Sequence, residues 1–369
     1  MTLPTSTRAA VLVEHGAPLE LQDLPLPETI EPGAALVRLV CSTLCGTDIE
    51  IWEGKMSFPG ILPMVLGHEM VGEVIAVGPG AHDATGRALE VGQRIGWSES
   101  VCGQCYGCTV LREPVFCQRR GYGFMQRSDV PPYATAGLSE YAYVTPGAQK
   151  LILPDEVKDA WAAMAGCAAK TVLRGFDRAG GIRVGDTVVV QGAGALGVFA
   201  TAVAKISGAS KVITVGGPDQ RLEIAKQFGA DHTVDISAGS EGIVQQVMEL
   251  TGGAGANVVI DVAGAPSVGP EAIGMAAARG TFVVIGSTGP VGEPFPLSGI
   301  MGKELTVVGS INGDVSDYFH AIEFFRAFAD RYDWDALFSA PVGLTEASEC
   351  IVHMHEQTEL KAVVDPRLG

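Results

Sequence analysis

The stretch Val188-Val189-Val190-Gln191-Gly192-Ala193-Gly194-Ala195-Leu196-Gly197 decides the fold. A β-branched run ends in a Gly-x-Gly-x-x-Gly turn, and an apolar helical pattern follows as far as Ser207. Each glycine has its own task in that setting. Gly192 makes the tight turn, Gly194 lets the backbone approach a pyrophosphate, and Gly197 lets helix pack on strand. The helix N-terminus adds unpaired N–H groups and a partial positive charge for the phosphates. In a chain with 48 glycines the triplet alone says little; the strand before it and the helix after it give it weight. Gly252-Gly253-Ala254-Gly255 has the reverse order, helix before and strand after, and reads as a turn.

The same alternation extends outward. Val212–Val215 reads as a strand, Pro218–Phe228 as a helix, His232–Val234 as a strand and Glu241–Thr251 as a helix. Asn257–Val262, Pro266–Ala278 and Thr281–Gly286 continue the series. Strand–helix alternation at this spacing is the mark of a doubly wound parallel sheet. An acidic residue for the adenosine ribose is expected to close the second strand, about 20 residues after the glycines. Gly216 stands there instead, in Val215-Gly216-Gly217-Pro218-Asp219-Gln220-Arg221. A site for NADP would place a small hydroxyl residue and Arg directly at the strand end. The expected cofactor is therefore NAD rather than NADP, its ribose held by backbone N–H groups or by Asp219. Upstream, Ala9–Val13, Ala35–Val40, Met70–Val77, Arg94–Trp97 and Glu140–Val144 read as short strands between turns. Ala160–Ala169 reads as an Ala-rich helix continuing through Val172 and Phe176, and Lys361–Val364 as a strand returning to the first part of the chain.

Composition narrows the partners. At 369 residues the chain exceeds what one core usually serves, so two domains are expected. The formal net charge is −17, with 25 basic against 42 acidic residues and no basic run. That excludes the basic face a nucleic-acid binder needs. No apolar stretch reaches the roughly 18 residues of a membrane span. Met1 to Arg8 is polar with no apolar signal-peptide core behind it, which gives a cytoplasmic protein as the expectation.

Four of the eight cysteines crowd together as Cys102-x2-Cys105-x2-Cys108-x8-Cys117. In a large intracellular chain such clustering points to metal rather than to disulfides. Four thiolates suit a closed tetrahedral zinc site. An iron–sulfur cluster is chemically compatible, but a redox-silent staple is the simpler account. A second set is dispersed: Cys45 in Leu44-Cys45-Gly46-Thr47-Asp48, His68 and Glu69 in Gly67-His68-Glu69, and Cys167 in Gly166-Cys167-Ala168. Cys and His ligands with one open position make a catalytic zinc. Spacing alone leaves each of them open. His68 reads equally as a satisfied core or loop histidine, and Cys167 as a packing group in its helix.

Gly67-His68-Glu69-Met70-Val71-Gly72-Glu73-Val74 resembles the zinc signature of the medium-chain dehydrogenase/reductase superfamily. The order of Cys45, His68, the thiolate loop, Cys167 and the glycine turn resembles its zinc-containing alcohol dehydrogenases over nearly the whole chain. The resemblance implies an α/β protein with a GroES-like, mostly β catalytic domain, 1–158 and 312–369. A Rossmann dinucleotide-binding domain, 159–311, is inserted between. It implies Cys45, His68 and Cys167 as catalytic zinc ligands with Glu69 beside that zinc, and Cys102, Cys105, Cys108 and Cys117 as a structural zinc loop, two zinc per chain. Thr47 matches the hydroxyl that bonds the substrate oxygen. Thr171, Leu196 and Ile285 fall where the family lines the nicotinamide pocket, and Arg221 where a basic residue contacts the adenosine ribose. Glu50 departs from the pattern, since many relatives carry His there in a proton relay. Glu50 is then either the relay's outer acceptor or a solvated loop carboxylate.

The expected activity is oxidation of a secondary, cyclic or polyol alcohol to the carbonyl with reduction of NAD(P). The Cys-Gly-Thr-Asp form and the Gly-Gly-Pro turn are closest in kind to polyol, threonine and cyclic-alcohol dehydrogenases. The alternatives are a zinc-free quinone or enone reductase of the same superfamily, which would lack the ligand set, and a non-catalytic dinucleotide-binding protein. The expected partners are a small-molecule alcohol or carbonyl compound and further copies of the chain, as homodimer or homotetramer, with no nucleic acid and no membrane. Between Arg119 and Gly137, Tyr122, Phe124, Met125 and Tyr133 either wall an apolar pocket or pack the loop onto the thiolate lobe. Trp52 is a further candidate wall, and His353 and His355 read as surface residues.

Overall fold

The computed structural model describes residues 3–56, 60–286 and 295–368. The chain divides into two compact units, Met1–Cys167 with Gly313–Gly369, and Ala168–Asn312. The first boundary falls at 167 rather than at 158. The helix Asp159–Met164 packs on strands of the first unit, and Tyr318 Oη donates to the Ala162 carbonyl at 2.9 Å.

In the first unit, β1 (Ser6–Leu12), β2 (Glu20–Pro25), β3 (Ala35–Thr43), β4 (Met64–Val65), β5 (Glu69–Val77), β6 (Arg94–Ser100), β7 (Tyr141–Val144) and β8 (Ala148–Ile152) pair antiparallel. One sheet has the order β2-β1-β4. The other runs from the C-terminal strand Val363–Val364 through β3, β5 and β6 to β8, with β7 on β3. Successive side chains of a strand point to opposite faces. Leu36 of β3 accordingly joins one apolar core with Val11, Leu12 and Leu66, while Ala35, Val37 and Leu39 join a second with Val74, Ile95 and Trp97. The tail returns as expected, with Val363 opposite Thr43.

In the second unit, β9 (Thr187–Gln191), β10 (Lys211–Gly216), β11 (His232–Asp235), β12 (Ala256–Asp261), β13 (Ala276–Val284) and β14 (Thr306–Gly309) form a parallel sheet ordered β11-β10-β9-β12-β13-β14 among the described residues. That is the doubly wound order, and its switch point lies between β9 and β12, where the glycine turn follows β9. Val189, Ile213, Val234, Val259 and Phe282 build the core on one face. No helix among the described residues is long and apolar enough to cross a membrane.

The helical stretch from Asp159 to Arg178 is interrupted. Residues Ala165–Ala169 form a π turn between two α segments, where sequence pattern predicts one continuous helix. A π turn adds a residue to the repeat and so re-aims the side chains that follow it. Cys167 sits inside it.

Candidate active site and metal centres

Cys45 occupies the N-cap of the helix Gly46–Trp52, where its backbone is extended and its side chain is buried. Three residues on, Asp48 is fully buried and accepts three hydrogen bonds. These come from the Cys45 N–H at 2.8 Å, the Gly67 N–H at 3.0 Å and His68 Nδ1 at 3.3 Å. One carboxylate thus ties the helix start to the Gly67-His68 loop. By engaging Nδ1 it leaves Nε2 of His68 to meet the thiol of Cys45. The donor atoms of Cys45, His68, Glu69 and Cys167 all lie within 4.8 Å of one another. A hydrogen bond from Cys167, and a further one from His68, hold the Cys45 thiol well below its ordinary range against the opposing effect of burial. Burial lowers and Asp48 raises the pKa of His68, and the net direction is up. Soft thiolates and an imidazole in one shell suit Zn²⁺.

Glu69 opens β5, directly opposite Thr43 at the end of β3. It is fully buried and pairs with Lys361 Nζ at 2.6 Å, and it also accepts the Thr43 hydroxyl. Lys361 gives a further bond to the Leu44 carbonyl at 3.1 Å. Burial pushes Glu69 above the ordinary carboxylate range, and the Lys361 charge opposes that. Sequence reading assigned no role to Asp48 or Lys361. The Cys45-x-x-Asp48 spacing carried a local signal, because position three of a helix can fold back on its cap. Lys361 stands 292 residues from Glu69 and carried none.

Thr47 is half-buried on the first turn of the same helix, and Glu50 follows one turn on. Burial, and then the negative charge of Cys45, raise the Glu50 pKa. A cavity of about 100 Å³ opens at His68 and Cys167, walled by Met70, Trp97, Tyr122 and Phe124. The Phe124 ring lies 4.6 Å from that of His68. Arg120 stacks over Tyr122 at 4.7 Å and pairs with half-buried Glu99 at 2.8 Å. Tyr122, Met125 and Tyr133 all pack on the core that contains Phe124, and Tyr122 and Phe124 also line the cavity. Trp52 does not line this cavity. Its indole N–H donates to the Ala17 carbonyl, and its ring meets His355 edge-on. His353 and His355 are about half exposed, and His355 pairs with Glu53 at 2.9 Å.

The four thiolates of the loop also converge, with all donor atoms within 4.8 Å. Backbone N–H groups of Gln118 and Arg119 approach Cys105 and Cys117 at 3.4 Å, and that of Cys102 approaches Cys117 at 3.3 Å. The Gln118 N–H, foremost, draws the Cys105 thiol down to about 6.

The glycine turn fits a dinucleotide. Gly192 has φ +122°, a conformation L side chains rarely adopt. A Cβ on Gly197 would lie 1.8 Å from the Gly192 carbonyl, whereas one on Gly194 would meet nothing, so that face stays open for phosphate. Gly194 caps the helix Ala195–Ile206, with Leu196 half-buried on its first turn. Thr171 is buried on the helix Lys170–Arg178. One turn on, Gly175 approaches Ile285 so closely that a Cβ would stand 2.5 Å from Ile285 Cδ1.

Comparison with known proteins accords with this geometry. A family model described as alcohol dehydrogenase GroES-like domain matches residues 31–155, and one described as zinc-binding dehydrogenase matches residues 195–327. The 5-exo-hydroxycamphor dehydrogenase of Pseudomonas putida is 31% identical over 98% of this chain and 99% of its own. The chain belongs to the zinc-containing alcohol dehydrogenases of the medium-chain dehydrogenase/reductase superfamily. This alcohol dehydrogenase is thus an oxidoreductase acting on CH–OH groups, and its family implies zinc and a nicotinamide cofactor. It is also 34% identical to the L-threonine 3-dehydrogenase of Pyrococcus abyssi over 80% of this chain and 79% of that one. Its fold superposes on an alcohol dehydrogenase from Thermotoga maritima with a TM-score of 0.90, at 28% identity, covering 98% and 99% of the two chains.

Proposed function

We propose that this enzyme oxidises a compact, largely apolar secondary alcohol, cyclic rather than polyol, with NAD as acceptor. The observation that carries the proposal is the convergence of Cys45, His68, Glu69 and Cys167, of which His68 and Cys167 line an aromatic-walled cavity. Met70, Trp97, Tyr122 and Phe124 offer apolar surface to a ring, while Ser98, Glu99, Gln126 and Thr135 supply polar groups elsewhere in the lining. The cyclic-alcohol activity named for the Pseudomonas putida relative supports the same choice.

Cys45, His68 and Cys167 would hold one zinc, with Glu69 beside it, and Cys102, Cys105, Cys108 and Cys117 a second, structural one. Bound there, the catalytic zinc supplies Lewis-acid polarisation of the substrate oxygen, and the nicotinamide supplies the hydride acceptor. The chain's own residues do the positioning. Asp48 fixes the His68 ring, and Lys361 holds Glu69 in place. Thr47 takes the alcohol proton, and Glu50 one helical turn on is its outer acceptor. Thr171, Leu196 and Ile285 bound the nicotinamide, and Gly192, Gly194 and Gly197 cradle the pyrophosphate, with Gly216, Asp219 and Arg221 at the adenosine end.

We also infer a homodimer through β14. This strand ends the sheet, with Thr306, Val307 and Gly309 exposed. Leu297 and Met301, on the helix before it, are 72% and 76% exposed. An open apolar edge of this kind invites pairing.

The test is metal analysis together with alcohol-dependent NAD reduction across cyclic secondary alcohols, polyols and primary alcohols. Two zinc per chain and turnover of the cyclic compounds are expected. His68→Ala should lose at least about a thousandfold in kcat/KM while still binding dinucleotide. Full activity in a metal-free His68→Ala enzyme would overturn the assignment.

A further inference from the structure

Gly216 closes the strand where the dinucleotide fold ordinarily places the acid that holds the adenosine ribose. The structure shows why no side chain stands there. A Cβ at this position would lie 2.4 Å from Ala193 Cβ and 2.8 Å from Ala193 N. Ala193 sits inside the glycine turn, so any side chain at 216 displaces the turn itself. The ribose hydroxyls need a partner from elsewhere.

β10 and β11 run parallel with Gly216 directly opposite Asp235. The neighbouring strand thus delivers a carboxylate at the same level of the sheet. Asp235 Oδ1 accepts the Ser237 N–H at 2.6 Å, which fixes the side chain. Asp219, the first residue of the helix that follows β10, lies close enough to bear on the Asp235 carboxyl. The Asp235 carboxyl therefore reaches from its own strand towards the Gly217-Pro218 loop that closes β10. Gly217 in turn packs towards Ile236, the residue after Asp235, where a Cβ would stand 3.3 Å away. Gly216 meets Ala193 of the glycine turn and Gly217 meets Ile236, so the two loops follow on from that turn.

We propose that Asp235, assisted by Asp219, replaces the missing strand-end acid, holding the ribose 2′-hydroxyl and excluding a 2′-phosphate. The assignment rests on the dinucleotide proposed above at Gly192, Gly194 and Gly197, and names the residue that selects it. A hydroxyl can donate to a carboxylate, whereas a 2′-phosphate brings close to two negative charges. Asp219 and Asp235 outnumber Arg221, which is half-buried on the first turn of the same helix. The acid supplied by β11 thus turns an apparent gap in the binding motif into selectivity for NAD.

The experiment is equilibrium titration of the zinc-loaded, full-length enzyme with NADH and with NADPH, read by nicotinamide fluorescence and needing no turnover. Wild type should bind NADH about a hundredfold more tightly than NADPH. Asp235→Asn, which keeps an acceptor for the Ser237 N–H, should weaken NADH about tenfold and bring the NADH/NADPH ratio below about ten. Asp219→Asn should move the ratio in the same direction by less. A wild-type enzyme that binds NADPH as tightly as NADH overturns the proposal, as does equal weakening of both by Asp235→Asn. Failure of wild type to bind either dinucleotide would instead refute the dinucleotide site, and the selectivity with it.

Discussion

At the scale of single residues, buried carboxylates organise the first unit, and each is answered by designed partners. Asp48 gathers Cys45, Gly67 and His68; Glu69 is met by Lys361 and Thr43. Asp83 shows the same logic away from the site. It is 2% exposed and accepts the Thr85 hydroxyl at 2.7 Å, the Arg87 N–H at 3.0 Å and the Arg87 guanidinium at 2.9 Å. Burial alone would raise its pKa, but the bonds from Thr85 and Arg87 outweigh it and hold the carboxyl below its usual range. A folded-state pKa below the unfolded value of about 3.9 gives stability that is fully present above that value. The stability is lost as pH falls through the folded pKa. Urea unfolding between about pH 6 and pH 3 should therefore show wild type losing stability at the acid end, with a shallower loss in Asp83→Asn. At neutral pH the variant should be about 1–3 kcal/mol less stable. Identical pH slopes for the two proteins would remove Asp83 from this role.

Among the elements, small departures from regularity place the chemistry. The π turn at Ala165–Ala169 brings Cys167 to Cys45 and His68. The register of β6 on β8 slips between Trp97 and Ser100, so residues Trp97, Ser98, Glu99 and Ser100 all border the cavity rather than alternating away from it. The glycine turn is equally specific. Because a Cβ at Gly197 would fall 1.8 Å from the Gly192 carbonyl, Gly197→Ala must push helix from strand. NADH titration should show at least about tenfold weaker binding, with zinc content unchanged. Unaltered affinity would mean that the turn relaxes without harm to the phosphate site.

On the scale of the whole molecule, a net charge of −17 opposes non-specific association, so contact between copies calls for an apolar, uncharged surface. β14 and the helix Leu297–Lys303 provide one. If copies pair there as proposed, the double variant Val307→Lys, Met301→Glu should shift that dimer towards monomer in sedimentation at micromolar concentration. A dimer that survives both changes would place the interface elsewhere. The sequence by itself determined whatever rests on neighbours along the chain. The strand–turn–helix of the dinucleotide site and the Cys102–Cys117 loop each lie within one short segment, so spacing alone carried their geometry. The departure at Gly216 was visible in the same way, but its cause and its consequence were not. Only the packing of Ala193 forbids a side chain there, and only the β10–β11 register sets Asp235 beside it. The Cys45, His68 and Cys167 group, and the Lys361 that holds Glu69, were likewise decided by the tertiary structure. Buried charge and thiol donors take their partners from whatever the sheet register and the turns bring together, and those partners lie far off in the chain.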